Sequence, residues 1–599
     1  MDFKQKTEEK KMSMSKNIAR LAVTAGLTAA LSFGGVMAPV TMAFAEGTTG
    51  SITINQVAED NKDNTFKAYQ IFKATVTDTT SGKTAQDINW AVDEKAQKDI
   101  VKIIRDSAGY STSESPLPEV NTETGEDPAT AQNVADWLSA NVQKQTNASA
   151  NGNKGTRVAP GNVLYSIAKA VIEDETAVDN SVKAGHSWTR PDASGDGYYL
   201  FVSDGLKADK PNTGTSPIFA IVGGDSVTVT EKTNIPTIDK KILNDSAEKE
   251  GGYTAQDGWT NVADSQVGQE VSYKLTGSIA DNYATYDSYA YKFTDTLSQG
   301  LTYVDGSLEV YALNDKSYTK ISPNSYIVGK PAGDSNVLTV DFKDKGLKSA
   351  FAADKNETLN IDAKTKIVVF YGAKLNSNAS YEVPGNKNEV YLEYSNNPMA
   401  EGTGKSEIKV VTDHVFGLDV TKVDDGTNQP LMGEEKLQAG FKVRVVNGDE
   451  GAMEDKWLSA NGEIVDSDQA YEFKTDVNTG KVSIHGLDAG TYEITETTTP
   501  SGYNTIAPFQ ITVTPTYIDG TLTGLTVSDT SNMVNSEKTN ENVTTTMIPV
   551  TIKNKKGSGL PLTGLNGVTF TWIAGSAVLC IGVAHLIRSR KQAEESEQE

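Results

Sequence analysis

Two apolar runs near the ends of the chain, Leu21 to Val40 and Gly567 to Ile587, frame a long series of segments in which apolar and polar positions alternate. The alternation is clearest from Ser51 to Asn55, Phe66 to Phe72, Gly197 to Val202, Ser226 to Lys232, Thr237 to Ile242, Asn388 to Tyr394, Phe416 to Asp424, Gly486 to Thr497 and Ile548 to Asn554. A period of two belongs to strands with one buried face. Ala129 to Val142 and Gly161 to Ile172 read instead as helices, the first with Ala, Val, Trp137 and Leu138 at helical spacing. The pattern predicts a mainly β chain whose helical insertions are confined to its first unit.

Strand parity also places several polar residues on apolar faces. Ile238, Lys240 and Ile242 share a face, as do Asn388, Val390, Leu392 and Tyr394. Leu418, Val420 and Lys422 share another; Tyr492, Ile494 and Glu496 point inward together; Val550, Ile552 and Asn554 do the same. A lone buried ammonium is costly, so a lysine so placed tends to lose its proton. A neutral amine is a nucleophile, an asparagine Cγ is an electrophile, and a protonated carboxyl in an apolar pocket can shuttle the protons as ammonia leaves. The grouping of Lys240 with Asp295 and Asn388, and of Lys422 with Glu496 and Asn554, is what a resemblance to the domains of Gram-positive backbone pilins implies, in which a lysine on the first strand bonds to an asparagine on the last with the help of an acid. An ion pair beside an unrelated asparagine is the plainer reading of each set. The first unit has Gln56 where the other two have lysine, so it is expected to lack such a bond and to unfold most easily.

Composition sharpens this. At 599 residues the chain has room for roughly three or four domains of ~150 residues. Asp and Glu outnumber Lys and Arg 79 to 55, a formal charge of −24, which disfavours nucleic acid and anionic polymers as partners. The single cysteine, Cys580, lies in the C-terminal apolar run, so the remainder forms no disulfide. His186, His414, His485 and His585 are scattered without ligand spacing. Asp192-x-Ser194-x-Asp196-Gly197 echoes a calcium loop, but Ser203 stands at its twelfth position, so it reads as a turn. The sequence points to no metal and no cofactor.

The ends carry targeting information. Basic residues from Lys10 to Arg20, the apolar run after them and Ala43-Phe44-Ala45 form a signal-peptide pattern, with Glu46 the first mature residue and Met12 or Met14 alternative starts. The C-terminal run has the length of a membrane crossing, and Arg588-Ser589-Arg590-Lys591 behind it holds the tail in the cytoplasm.

Leu560-Pro561-Leu562-Thr563-Gly564, the span and the basic tail together resemble the cell-wall sorting signal of Gram-positive bacteria. The resemblance implies that a sortase cuts between Thr563 and Gly564 and passes the Thr563 carbonyl to an amine. The exported chain resembles the backbone pilins of such bacteria, in which a lysine at the end of the first domain accepts the next subunit's threonine. Of the family's Tyr-Pro-Lys motif only the lysine matches, in Thr230-Glu231-Lys232, which makes Lys232 the candidate acceptor. The Lys240, Asp295, Asn388 set resembles the crosslinking site of the middle pilin domain. Gly486 to Tyr503 resembles the B-type repeat of a collagen-binding surface protein, an immunoglobulin-like fold, with Glu496 as its acid.

The resemblance implies tandem immunoglobulin-like β-sandwich domains with intramolecular isopeptide bonds. The expected divisions are a signal peptide over 1–45, an N-terminal unit over 46–235, a middle unit over 236–412, a B-type unit over 413–558 and a sorting signal over 559–599. The implied function is the shaft subunit of a covalent, wall-anchored pilus whose only chemistry is self-crosslinking. Its implied partners are identical subunits, a pilus-specific sortase, peptidoglycan and minor pilins. A monomeric wall-anchored adhesin, binding host matrix or glycan, is the alternative.

Overall fold

The computed structural model describes residues 50–557 apart from 80–81, 147–157, 232, 244–251, 334, 355–356, 449–453, 532–533 and 537–542. It is mainly β, with the sheets arranged in successive pairs along the chain.

In the first pair, Ser51–Asn55 lies between Ser187–Thr189 and Val227–Thr230, antiparallel to the former and parallel to the latter. A second sheet orders Gly82–Trp90, Thr65–Thr79, Gly197–Asp204 and Ile218–Val222. Between them sits a core of Ile52, Ile54, Phe66, Tyr199, Phe201, Val227 and Val229. The outer face of the second sheet packs under helices Glu94–Arg105, Ala131–Thr146 and Val163–Asp174. Two of these are the expected insertions. The first is additional: Asp93 caps it by accepting from Ala96 N at 2.9 Å, and Ala96, Ile100, Val101 and Ile104 form its buried stripe.

The middle pair consists of two seven-stranded sheets. One runs through Ile238–Leu243, Glu270–Gly277 and Lys366–Leu375; the other through Asn386–Ser395, Tyr291–Leu297 and Val337–Phe342. In the third pair, Phe416–Asp424 lies between Lys481–Leu487 and Met547–Asn554, parallel to the latter, and faces a sheet containing Gly440–Gly448, Gly490–Thr498 and Phe509–Ile518.

The junctions are specific contacts. After the Asn386–Ser395 strand, Asn396 Nδ2 donates to Asn212 Oδ1 at 3.0 Å, Asn397 Nδ2 donates to Ser203 O at 3.0 Å, and Met399 enters the helical core of the first unit. Between the middle and third units, Gly486 N donates to the Tyr381 hydroxyl at 2.8 Å while that ring packs 4.9 Å from His485.

Candidate functional site

In the third unit the parity of Phe416–Asp424 turns Leu418, Val420 and Lys422 inward, and all three are fully buried. The parallel neighbour Met547–Asn554 turns Val550, Ile552 and Asn554 the same way, with Lys422 opposite Ile552 and Asn554 opposite Asp424. Lysine and asparagine are thus diagonal neighbours on one sheet, and Glu496 meets them from the facing sheet. Lys422 Nζ donates to Asn554 Oδ1 and lies 3.3 Å from Glu496 Oε1. Asn554 Nδ2 donates to both Glu496 oxygens, at 2.9 and 3.1 Å. The carboxyl is held by Ile506 N, which donates to Oε2 at 3.0 Å. Burial pulls the Lys422 amine down to about 8 against the opposing pull of Glu496.

The middle unit arranges the same three residue types differently. Lys240 lies on Ile238–Leu243 in one sheet; Asp295 and Asn388 lie on adjacent antiparallel strands of the other, Asp295 opposite Val390 and Asn388 opposite Leu297. All three are buried, and Lys241, its neighbour on the other face, is half-buried and donates to Asn261 Oδ1 at 2.7 Å. Lys240 Nζ donates to Asp295 Oδ2. It reaches Asn388 only through Tyr371, a residue that sequence reasoning missed. Lys240 Nζ and Asn388 Nδ2 both donate to the Tyr371 hydroxyl, at 3.2 and 2.6 Å, and the hydroxyl donates to Asp295 Oδ1 at 3.0 Å. Burial pushes the Lys240 amine down and the Asp295 carboxyl up, against the attraction between the two, so both neutral forms are favoured. Asn388 Oδ1 is buried without a partner, which leaves the amide held by its nitrogen alone.

Both clusters can perform the same exchange. A neutral lysine nitrogen attacks the asparagine Cγ, the carboxyl takes and returns protons, and ammonia leaves. In such an exchange, positions held by folding would replace diffusion, and each site would act once, on itself.

The first unit holds no lysine in the corresponding place. Its parallel pair, Ile52 opposite Val227 and Ile54 opposite Val229, has the register of the third unit, but half-buried Gln56 follows Ile54. Two further buried groups lie there, one of them in step with Val227 and Val229. Glu231 is 2% exposed and accepts from Asn61 Nδ2 at 3.3 Å; burial pushes its carboxyl up to about 7. Lys83 is 1% exposed and donates to Asp78 Oδ1, Gly223 O and Asp225 O at 2.6, 2.7 and 2.6 Å. Asp196, in the calcium-like turn, accepts from Arg190 Nε.

Lys232, Leu560, Pro561, Leu562, Thr563, Gly564, the signal peptide and the C-terminal apolar run lie outside the described residues. Among the described residues no helix is long and apolar enough to cross a membrane.

Comparison with solved structures finds similarity to the T6 backbone pilin of serotype M6 Streptococcus pyogenes, at 15% identity over 86% of this chain and 100% of that one, TM-score 0.44. The major pilin SpaD from Corynebacterium diphtheriae is similar at 16% identity over 85% and 98%, TM-score 0.39. The group B streptococcus pilus 2b backbone protein is similar at 22% identity over 50% and 97%, TM-score 0.35. No curated protein matches. A family model described as SpaA, prealbumin-like fold domain, matches residues 417–527, the stretch that carries Lys422 and Glu496.

Proposed function

We propose that this chain is the precursor of the backbone subunit of a covalent, cell-wall-anchored pilus, stapled internally by Lys240–Asn388 and Lys422–Asn554 amide bonds. The observation that carries the reading is the pair of buried lysine–carboxyl–asparagine clusters, each with its lysine on the opening strand of its unit. A chain without disulfides that is pulled on from outside the cell gains from a link that reducing agents leave intact. The sorting pattern supports the other half of the reading: sortase frees Thr563 from Gly564 and joins it to Lys232 of a neighbour, and the last subunit is joined to peptidoglycan. The chain is a substrate and a structural element.

Co-expression with a pilus sortase tests the assembly. The expected result is an SDS-resistant ladder that Lys232→Ala abolishes. A ladder unchanged by that substitution removes Lys232 as acceptor, and no ladder at all favours the monomeric adhesin.

A further inference from the structure

The two clusters differ where the length of the carboxyl side chain matters. Glu496 touches both reacting nitrogens directly, 3.3 Å from Lys422 Nζ and 2.9 Å from Asn554 Nδ2. Asp295 is one methylene shorter. Its Oδ2 meets Lys240 Nζ, and its Oδ1 accepts from Tyr371 at 3.0 Å. The hydroxyl of Tyr371 accepts from Asn388 Nδ2 at 2.6 Å and from Lys240 Nζ at 3.2 Å. One oxygen atom therefore contacts the nucleophile, the acid and the leaving group.

We propose that Tyr371 is a catalytic residue of the middle unit, its hydroxyl relaying the proton between Asp295 and the departing Asn388 nitrogen. This rests on the reading that Lys240 and Asn388 exchange amides. The lone pair of neutral Lys240 Nζ attacks Asn388 Cγ and a C–N bond forms. Once the hydroxyl has turned from Asp295 Oδ1 toward Asn388 Nδ2, the proton that Nζ sheds passes to Asp295 as the carboxyl gives its own proton to the Tyr371 oxygen. The Tyr371 hydroxyl proton moves to Nδ2, the old C–N bond breaks, and ammonia leaves. Amine plus primary amide gives secondary amide plus ammonia; Asp295 and Tyr371 end as they began, and nothing is oxidised or reduced.

The surroundings suit a relay. Tyr371 is fully buried, and its ring stacks on Tyr273 with centroids 5.2 Å apart and planes at 15°, which fixes where the hydroxyl points. Burial holds the phenol far above its ordinary value, so the proton passes through the oxygen without leaving a phenolate behind.

The test follows the intact mass of the exported chain at intervals after a pulse of synthesis. Wild type is expected to lose two molecules of ammonia promptly. Tyr371→Phe loses one promptly, from the third unit, and the other at least ~100-fold more slowly, the span of general acid–base contributions. Lys240→Ala gives the folded, unlinked middle unit for reference. Adding Asp295→Glu to Tyr371→Phe lets the longer carboxyl reach Asn388 as Glu496 reaches Asn554, and prompt exchange returns. A Tyr371→Phe protein that matures as fast as wild type overturns the relay, as does a folded double variant that stays slow. If Tyr371→Phe does not fold, 3,5-difluorotyrosine at 371 keeps the hydroxyl while altering its acidity; a changed rate supports the relay and an unchanged rate overturns it. A wild-type chain whose middle unit never loses ammonia overturns the exchange itself, a failure distinct from the others.

Discussion

Removing the proposed Lys422–Asn554 crosslink without stranding a charge gives the sharpest stability test. Lys422→Met alone leaves a buried carboxyl facing an apolar chain, so the useful variant is Lys422→Met with Glu496→Gln. Methionine keeps most of the lysine stem, and glutamine keeps a hydrogen bond to Asn554. What is lost is the proposed link between Lys422 and Asn554, which lie 132 apart in sequence and are hydrogen-bonded in the folded unit. If the chain-entropy relation for disulfides applies to an amide, closing that loop stabilises by about 5 kcal/mol. For a unit of about 140 residues this corresponds to a fall in Tm of roughly 15–20 °C. Calorimetry of the whole exported chain reads it, because the other units keep their own transitions as internal references. Glu496→Gln alone is expected to stop the exchange while leaving Lys422 in place, and so to lose about as much. A double variant whose third unit melts within about 5 °C of wild type refutes the crosslink argument.

Further outcomes follow from the other buried groups. Asp295→Asn is expected to leave the middle unit folded but unlinked, visible as an ammonia-sized mass gain confined to the peptides around Lys240 and Asn388. Third-unit maturation is expected to speed up as the pH rises toward about 8, where the Lys422 amine becomes neutral, and to level off above it; timed mass spectra at fixed pH read this. Glu231 has its folded value raised from 4.5 to about 7, so the stability it contributes is full below about pH 4.5 and lost as the pH rises to about 7. Glu231→Gln therefore raises the first unit's stability at pH 8 by on the order of 3 kcal/mol and changes little at pH 4, a contrast that thermal unfolding at the two pH values checks. Lys83→Met leaves Asp78, Gly223 O and Asp225 O without their shared donor and is expected to cost about 3–5 kcal/mol, read from the first unit's denaturant midpoint.

Much of the site was legible because parity is rigid. In Ile238–Leu243, Phe416–Asp424 and Met547–Asn554 a polar residue sits in step with apolar neighbours on a half-exposed strand, so burial of Lys240, Lys422 and Asn554 follows from counting by two. Tyr371 was hidden for the converse reason. Its strand, Lys366–Leu375, is buried on both faces over most of its length, so alternation carries no signal and a tyrosine there looks like any core aromatic. Parity also says nothing about which sheet a strand joins. The sequence suggested one arrangement repeated, whereas the folded units differ: lysine and asparagine share a sheet in the third unit, and carboxyl and asparagine share one in the middle unit. Glu231 stands in step with buried Val227 and Val229, so the same count by two could have found it, whereas Lys83 is buried by the carbonyls of Gly223 and Asp225, distant in sequence. The helix Glu94–Arg105 carried a readable stripe at Ala96, Ile100, Val101 and Ile104 that the lysines between obscured.

The claim on which the account depends is that folding alone converts two lysine–asparagine pairs into amides. High-resolution mass spectrometry of the exported chain, made without sortase and digested after denaturation, tests it directly. The expected protein is lighter than its sequence by two ammonia molecules, about 17 Da each, with branched peptides joining Lys240 to Asn388 and Lys422 to Asn554. A chain of full sequence mass, releasing those four residues on separate linear peptides, contradicts it.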